Sequence, residues 1–353
     1  MAFPQQRLFS ALSSYTRQFS TSNLRYQPQS NSLPPKIPYT PTCPSPTCPC
    51  TSPPTDLDID VKSPLLNTMA SYSSHVVICS GKADWTSRIE DEVGEGGDFV
   101  RGLKAEIGKG GRSFDPFTNT LTTLSSLPPS SSTTTAPTTS VLLFPQFLSF
   151  PSIPHSQHSI SALATAFLKA RTLHPLHTLL SPTQKAALTR NPSLASVLPA
   201  PNPITTPTIL ICSHGSRDSR CGILGPILHD EFRRQLESKG VSATVGVISH
   251  IGGHKFAGNV IIYLPPASAA SPNNSGNKLA GSGVWYGRVG PENVEGIIEE
   301  TILRGRVIGE LLRGGITGDG GSLGRLVEEQ VKRDEGGKGS LWERLRLRPR
   351  SRA

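Results

Sequence analysis

"SHIGGHKFAGN", residues 249–259, places His250 and His254 on either side of a glycine pair. Upstream, "ICSHGSRDSRCG", residues 211–222, separates Cys212 and Cys221 by eight residues. Both segments follow apolar, β-branched runs, so the pattern predicts that loops at strand ends carry the four side chains. Thiolates and imidazoles that converge from two loops are typical metal ligands, and the four residues are therefore candidates for one metal centre.

The segments around these motifs predict one α/β unit. Its strands are expected in "PTILICSHG", "ATVGVISH", "GNVIIYLPP" and "GVWYGRV", with a helix in "GPILHDEFRRQLESKG" after the first strand. A closing helix is expected from Pro291 to about Arg313, because proline and acidic residues favour a first helical turn. The order β-α-β-β-β-α resembles a thioredoxin-like domain, which we place at residues 206–313.

A strand-turn-helix signature begins the region before this unit. "HVVICSGKADWTSRIEDE" predicts a strand from His75 to Cys79 and a helix opened by Asp84. "SVLLFPQFLSF" predicts a second strand, after the low-complexity insertion loop "LPPSSSTTTAPTTS". We therefore expect an N-terminal thioredoxin-like half over residues 56–157 and a proline-interrupted helical connector over residues 158–205. The predicted fold class is α/β, with two thioredoxin-like halves.

The two ends of the chain account for its formal net charge of +9. Residues 1–36 contain four basic and no acidic side chains, and residues 344–353 contain five arginines and no acid. The rest of the chain is neutral, which excludes a basic nucleic-acid-binding surface of the usual kind. The acid-free, Ser- and Arg-rich start is typical of a mitochondrial transit peptide, predicted at residues 1–26. We therefore expect a mitochondrial protein, located in the matrix.

Residues outside the two halves are expected to be largely disordered. Residues 27–55 form a Pro/Ser/Cys-rich linker, and residues 314–353 form a Gly/Arg-rich tail with one short amphipathic helix around residues 326–331. No run approaches the roughly 20 apolar residues that a membrane-spanning helix needs. No transmembrane segment is therefore expected.

Two cysteines and two histidines fit either a tetrahedral zinc ion or a [2Fe-2S] cluster with one iron held by cysteines and the other by histidines. Zinc sites usually pair cysteines at two to four residues, so the eight-residue gap is long for a single ion. The glycines at 252, 253 and 258 let the backbone approach a bound centre closely. Spacing alone leaves both metals open.

The motifs "CSHGSRDSRCG", "SHIGGHKFAGNVIIYLPP" and "VWYGRVGPENV" resemble those of the sucrase/ferredoxin-like family, thioredoxin-like ferredoxins of fungi, and in particular its mitochondrial branch. The resemblance covers roughly residues 43–313. It implies a [2Fe-2S] cluster bound by Cys212, Cys221, His250 and His254. It also implies a one-electron carrier that works between a redox donor and a redox acceptor protein.

Histidine ligation has chemical consequences for such a carrier. Neutral imidazole in place of thiolate raises the reduction potential, from roughly −400 mV in plant-type ferredoxins to roughly −150 to +300 mV in Rieske centres. Each imidazole also keeps a second ring nitrogen that can release a proton. We therefore hypothesise a potential that depends on pH.

Other interpretations compete with electron transfer. "HGSRD", which starts at His214, resembles the start of small tetrapyrrole chelatases, but that interpretation leaves the two ligand pairs unexplained. A structural zinc module that docks partners is the alternative if the metal is zinc. The chain has no nucleophile with its base, no Walker motif and no dinucleotide fingerprint, which favours an electron-transfer protein over an enzyme with its own substrate.

The remaining cysteines are not expected to bind the centre. Cys79 lies in an apolar strand and is expected to be a small buried hydrophobe. Cys43, Cys48 and Cys50 lie in the Pro-rich "CPSPTCPC", where disordered thiols are expected rather than a tight site. Between Cys212 and Cys221, a structural role is expected for Arg217, Asp218 and Arg220, either as a salt bridge within the loop or with some screening of the negative charge of the cluster.

Overall fold

The computed structural model describes residues 36–47, 49–52, 54, 56–130, 136–266 and 276–334. The predicted transit peptide lies outside the described residues, as do residues 27–35 of the predicted linker, Cys48 and the end of the predicted tail from residue 335 onward. Among the described residues, no helix is both long enough and apolar enough to cross a membrane.

The described chain contains both strands and helices. The strands are β1 (Tyr39–Thr40), β2 (Ser74–Cys79), β3 (Thr120–Ser125), β4 (Thr138–Phe144), β5 (Leu148–Pro154), β6 (Asn202–Pro203), β7 (Thr208–Cys212), β8 (Thr244–Ile248), β9 (Val260–Tyr263), β10 (Gly283–Tyr286), β11 (Val307–Ile308) and β12 (Leu312–Ile316). The α-helices are α1 (Glu95–Ile107), α2 (Gln157–Leu163), α3 (Pro182–Leu188), α4 (Ser219–Ser238), α5 (Pro291–Ile297) and α6 (Leu323–Asp334). Short π-helical segments extend α2 to Leu168 and α5 to Leu303.

The two halves of the chain repeat one topology. The first half runs β2-α1-β3-β4-β5-α2, and the second runs β7-α4-β8-β9-β10-α5. In each half the first two strands pair in parallel, and the next two add antiparallel on the other side of the first strand. The strand orders β3-β2-β4-β5 and β8-β7-β9-β10 are therefore equivalent. The predicted α/β class with two thioredoxin-like halves is confirmed.

The halves join through β3 and β8, where Ser125 pairs with Ile248 in antiparallel fashion. This single pairing produces one sheet of order β12-β10-β9-β7-β8-β3-β2-β4-β5-β6. Within each half, the parallel register aligns Cys79 with Ser125 and Cys212 with Ile248. Both cysteines therefore occupy the same position of the repeat, at the strand ends nearest the join.

Buried aromatic side chains pack the two halves against each other. The ring of Tyr263, from β9, stacks on Phe144, from β4, with 3.9 Å between centroids. The Tyr263 hydroxyl also lies 2.9 Å from Nδ1 of His75 and 2.8 Å from the Tyr72 hydroxyl, which accepts a 2.9 Å hydrogen bond from Nε1 of Trp285. A buried polar network of this kind stabilises one arrangement of the halves. If the halves shifted, the buried hydroxyl and ring N–H groups would lose their hydrogen-bond partners.

Two predictions for the first half were wrong. Asp84 does not open a helix; α1 starts at Glu95, because the intervening loop buries Trp85 and uses the Asp84 carboxylate to accept hydrogen bonds from Ser216 of the second half. The predicted single strand in "SVLLFPQFLSF" is a hairpin of β4 and β5. Proline lacks an N–H for the ladder, and Phe147 adopts a positive φ of 55°, so the chain turns between the two strands.

The predicted closing helix is also shorter than expected. It ends by Leu303 instead of continuing to about Arg313. Gly305 has a positive φ of 64°, which ends the helical path, and the following residues form β11 and β12. Arg313 therefore lies in an edge strand that pairs with β10.

Parts of the predicted linker and tail are ordered against the second half. β1 pairs in parallel with β11, and Thr47 donates hydrogen bonds from its backbone and hydroxyl to Glu295 at 2.7 and 2.6 Å. The amphipathic helix predicted near residues 326–331 is confirmed as α6, which buries Leu323, Val327 and Val331. These segments are too poor in apolar residues to fold alone, and the second half supplies their partners.

Acid should destabilise the fold through His75. Burial lowers the pKa of His75 from 6.5 to about 3, so below pH 6.5 the unfolded chain binds a proton that the folded chain does not. We expect this one residue to lower the free energy of unfolding by up to about 1.4 kcal/mol for each pH unit between pH 6 and 4. Urea unfolding at several pH values should show a shallower dependence for His75→Gln and an unchanged one for His229→Gln. Equal slopes for wild type and His75→Gln would contradict the expectation.

Candidate metal centre

The two cysteines of the predicted centre are buried neighbours. Cys212 is the last residue of β7, and Cys221 lies in the first turn of α4, whose N-terminus is capped by Asp218. Their side chains are 2% and 1% exposed. The adjacent Cys221 thiol lowers the pKa of Cys212 well below its ordinary value, whereas the pKa of Cys221 is raised, first by Cys212 and then by burial. The pair therefore carries one negative charge more readily than two.

The two histidines lie on the connection between β8 and β9. His250 follows the strand after one residue, and His254 begins a single 3-10 turn. Their ring centroids are 5.4 Å apart. Gly252 and Gly253 have φ values of 81° and 72°, a left-handed conformation that favours glycine, and this turn brings the two imidazoles onto the same side.

The cysteine pair and the histidine pair lie next to each other at the C-terminal ends of β7 and β8. The His250 ring is close enough to Cys212 to contribute to the lowered pKa of its thiol. Exposure differs across the site, because both cysteines are buried whereas the side chain of His254 is 47% exposed. The structure thus brings Cys221 and the His250 ring beside Cys212, and it brings His254, which faces solvent, beside His250.

Nδ1 of His250 is buried and has no hydrogen-bond partner. A buried polar atom without a partner costs free energy, and coordination of a metal ion would satisfy it. Within the described ranges, no three His, Cys, Asp or Glu side chains converge closely enough to hold a single metal ion. The donors occur as two pairs, one of thiols and one of imidazoles, and this donor set fits a two-iron cluster.

His214 supports the candidate site through hydrogen bonds that link the first half to the backbone of His250. Its Nε2 lies 3.1 and 2.9 Å from the carbonyl oxygens of Trp85 and Thr86, so this nitrogen carries the proton and donates it. Nδ1 then accepts a 3.0 Å hydrogen bond from the backbone N–H of His250. Both ring nitrogens are thus occupied within the protein, whereas the chelatase interpretation would need a free imidazole at this position. The residue ties the first half to a candidate ligand.

Of the salt bridge expected among Arg217, Asp218 and Arg220, the part between Asp218 and Arg220 is confirmed. Arg220 makes two hydrogen bonds to the Asp218 carboxylate, at 2.9 and 2.8 Å, and donates a third, at 2.8 Å, to the carbonyl of Asp58. The Asp218 carboxylate also lies 4.0 Å from Nε2 of His254. Arg217 is exposed, with a 3.4 Å contact to the hydroxyl of Ser87.

The other described cysteines lie away from this edge or are inert. Cys79 is buried as predicted, and burial raises the pKa of its thiol to about 11. Cys43 is half-buried, and its thiol contacts the carbonyl of Asn293 at 3.5 Å. Cys79, Cys212 and Cys221 form no disulfide. The expectation of a disordered thiol at Cys43 was wrong, because this segment packs against α5.

Several residues around the site were not predicted from the sequence. Arg313 donates to the carbonyl of Gly252 and to Oδ1 of Asn259, at 3.1 and 2.7 Å, and also contacts Thr68 from the first half. The available signal was an arginine within the otherwise apolar run "LLRGGI", residues 311–316, which is unusual for a buried strand. The predicted closing helix extended to about Arg313, and the buried position of this residue in a strand was therefore not predicted.

Replacing His214 should weaken the fold. His214→Ala leaves the backbone N–H of His250 and the carbonyls of Trp85 and Thr86 without their partner, so we expect the free energy of unfolding to fall by about 2–4 kcal/mol. His229→Ala, which removes a half-buried histidine paired with Asp230 on α4, should cost less than about 1 kcal/mol. Urea unfolding of both variants measures the difference, and equal midpoints would refute the supporting role of His214.

Comparisons with known proteins identify relatives that match between about a third and three quarters of the chain. Altered inheritance of mitochondria protein 32 of Debaryomyces hansenii is 47% identical over 106 residues, 30% of this chain and 34% of the relative. The protein of the same name from Saccharomyces cerevisiae is 39% identical over 108 residues, 31% of this chain and 32% of the relative. These two matches span about a third of each relative. The one from Eremothecium gossypii is 27% identical over 276 residues, 75% of this chain and 85% of the relative.

No solved structure matches the chain significantly. The sequence model of one family, described as sucrase/ferredoxin-like, matches residues 65–314. That range contains the repeated sheet from β2 to the middle of β12, and all four candidate ligands. The match covers more than half of the chain, and the protein therefore belongs to the sucrase/ferredoxin-like family.

Proposed function

We propose that this protein is a mitochondrial one-electron carrier whose [2Fe-2S] cluster is bound by Cys212, Cys221, His250 and His254. The observation that supports the proposal most directly is the meeting of a buried thiol pair with a histidine pair at one sheet edge. The buried, unpartnered Nδ1 of His250 adds a donor atom on that side. One iron would take the thiolates and the other the imidazoles.

Such a cluster would accept and release one electron, and the burial of its ligands would determine from which side a redox partner can approach it. Cys212 and Cys221 are sealed from solvent, whereas His254 is about half exposed. A redox donor or acceptor would therefore approach the histidine side. His214 and the glycine turn would hold His250 and His254 in place while electrons pass, so that little reorganisation accompanies each transfer.

The mitochondrial location draws on two separate observations. The relatives share the name altered inheritance of mitochondria protein 32, which associates them with mitochondria. The acid-free start of this chain is typical of a transit peptide that directs a protein to the matrix. Import of a reporter fused to residues 1–36 into isolated mitochondria, followed by protease protection with and without outer-membrane rupture, tests the matrix assignment.

The metal content tests the proposal directly. The anaerobically purified full chain should be red-brown, contain two irons and two sulfides, and give an electron paramagnetic resonance signal on reduction. Cys212→Ser should lose the cluster, and His254→Cys should keep it with a shifted spectrum. Cys79→Ser, the equivalent position of the other half, should match wild type. A colourless protein with one zinc, and no cluster after reconstitution with iron and sulfide, would refute the carrier and support a structural zinc module.

The reduction potential should fall as pH rises. An imidazole ligand that loses its second proton more easily on the oxidised centre makes reduction harder at high pH. The limiting slope for one proton per electron is about 59 mV per pH unit. Optical redox titrations of the full chain between pH 6 and 10 measure it, with His254→Cys as the comparison. A potential that stays flat over this range would remove proton coupling but leave electron transfer intact.

A further inference from the structure

Arg313 is a buried cation in the middle of β12. Its side chain is among the largest that are fully buried, with 1% exposure. The rings of Phe256 and Trp285 lie 5.6 and 5.8 Å from its guanidinium carbon. Burial lowers its pKa to about 10, which still leaves it charged at neutral pH. A buried charge is expensive unless another charge compensates it.

No carboxylate compensates this charge in the described part of the chain. All of its hydrogen bonds go to neutral oxygens: Thr68 Oγ1 at 3.2 Å, Thr68 O at 3.0 Å, Gly252 O at 3.1 Å and Asn259 Oδ1 at 2.7 Å. In the described ranges, no Asp or Glu side-chain oxygen lies within 4.0 Å of a guanidinium nitrogen of Arg313. The half-buried Arg288 differs, since it lies 4.0 Å from the Asp60 carboxylate.

The guanidinium lies directly against the turn that carries the two histidines. A Cβ atom placed on Gly253 would come within 2.4 Å of Nη2 of Arg313, so only glycine leaves room for it. Nη1 meanwhile holds the carbonyl of Gly252. The same side chain thus fixes the backbone between His250 and His254. Burial lowers the pKa of Arg313, and the charge of the Cys212 and Cys221 pair partly offsets that effect.

We propose that Arg313 is the buried counter-charge of the cluster, and that it also positions the histidine turn. This inference rests on the proposed function. Two thiolates balance the charge of the two ferric ions and two sulfides of the oxidised centre, and the electron taken up on reduction leaves one net negative charge. A fixed positive charge beside the site favours the reduced form. Arg313 therefore raises the reduction potential.

Two substitutions change the charge in different ways. Arg313→Gln removes it, and Asn259→Asp keeps the shape of the residue at Nη1 while placing a carboxylate against the guanidinium. Both should make reduction at least tenfold less favourable, which corresponds to a potential about 59 mV lower. Arg313→Lys keeps the charge and should retain most of the wild-type potential. Arg288→Gln is the matched control, because Arg288 also packs over Phe256, at 5.0 Å, but already has a carboxylate neighbour.

Optical redox titration of the full, cluster-loaded chain at one pH measures the potentials. Wild-type potentials in both Arg313→Gln and Asn259→Asp would overturn the counter-charge role and leave the proposed function standing. A drop in Asn259→Asp supports the role even if Arg313→Gln fails to fold. A wild-type chain that takes up no iron and sulfide would overturn both the proposed function and the counter-charge.

The positioning role has its own measurement in the cluster-free protein. Hydrogen exchange followed by mass spectrometry should show faster exchange over residues 250–258 in Arg313→Gln than in wild type or Arg288→Gln. Removing Arg313 frees the carbonyl of Gly252 and opens space beside Gly253, so the turn should loosen. Unchanged exchange in this segment would overturn the positioning role, whatever metal the protein binds.

Discussion

The parallel pairing of β7 with β8 is the constraint on which the candidate centre depends. It aligns Cys212 with Ile248, so the loop that leads to Cys221 and the turn that contains His250 leave the sheet at the same edge. Cys212 and His250, nearly forty positions apart in sequence, are therefore brought together by strand pairing and not by the closure of a flexible loop. Pairing with β9 on the other side of β7 returns the histidine turn to the sheet at Val260.

The first half completes this centre without contributing a candidate ligand. Trp85 and Thr86 accept hydrogen bonds from His214, and Thr68 accepts two from Arg313. Both supporting side chains therefore have part of their hydrogen bonding across the boundary between halves. The aromatic packing of Tyr263 on Phe144 and the shared hydroxyl contacts of Tyr72 hold that boundary closed. The site is a product of both halves, although its candidate ligands belong to one.

Local sequence patterns predicted the repeated α/β units and the four candidate ligands, because strand runs and Cys/His spacing are encoded within a few residues. They did not predict that α1 starts at Glu95 or that Arg313 lies in a strand. Those outcomes depend on partners far away in sequence, such as Ser216 for the loop at Asp84 and the β10 strand for Arg313. Single-residue propensities carry no information about such partners. The hairpin of β4 and β5, in contrast, was predictable from the local sequence, because Pro145 within the apolar run indicates a turn.

The repeat also offers an internal comparison. Cys79 and Cys212 end equivalent strands, yet one thiol is neutral and isolated while the other shares its charge with a neighbour. If the halves descend from one duplicated unit, the first copy carries no candidate ligands, and the loop after its cysteine lies behind the candidate site of the second copy. Such a division makes the two copies interdependent. A fragment limited to residues 206–316 would leave His214 and Arg313 without their partners from the first half, and selection on the half that carries the candidate ligands would act on the sequence of the other half as well.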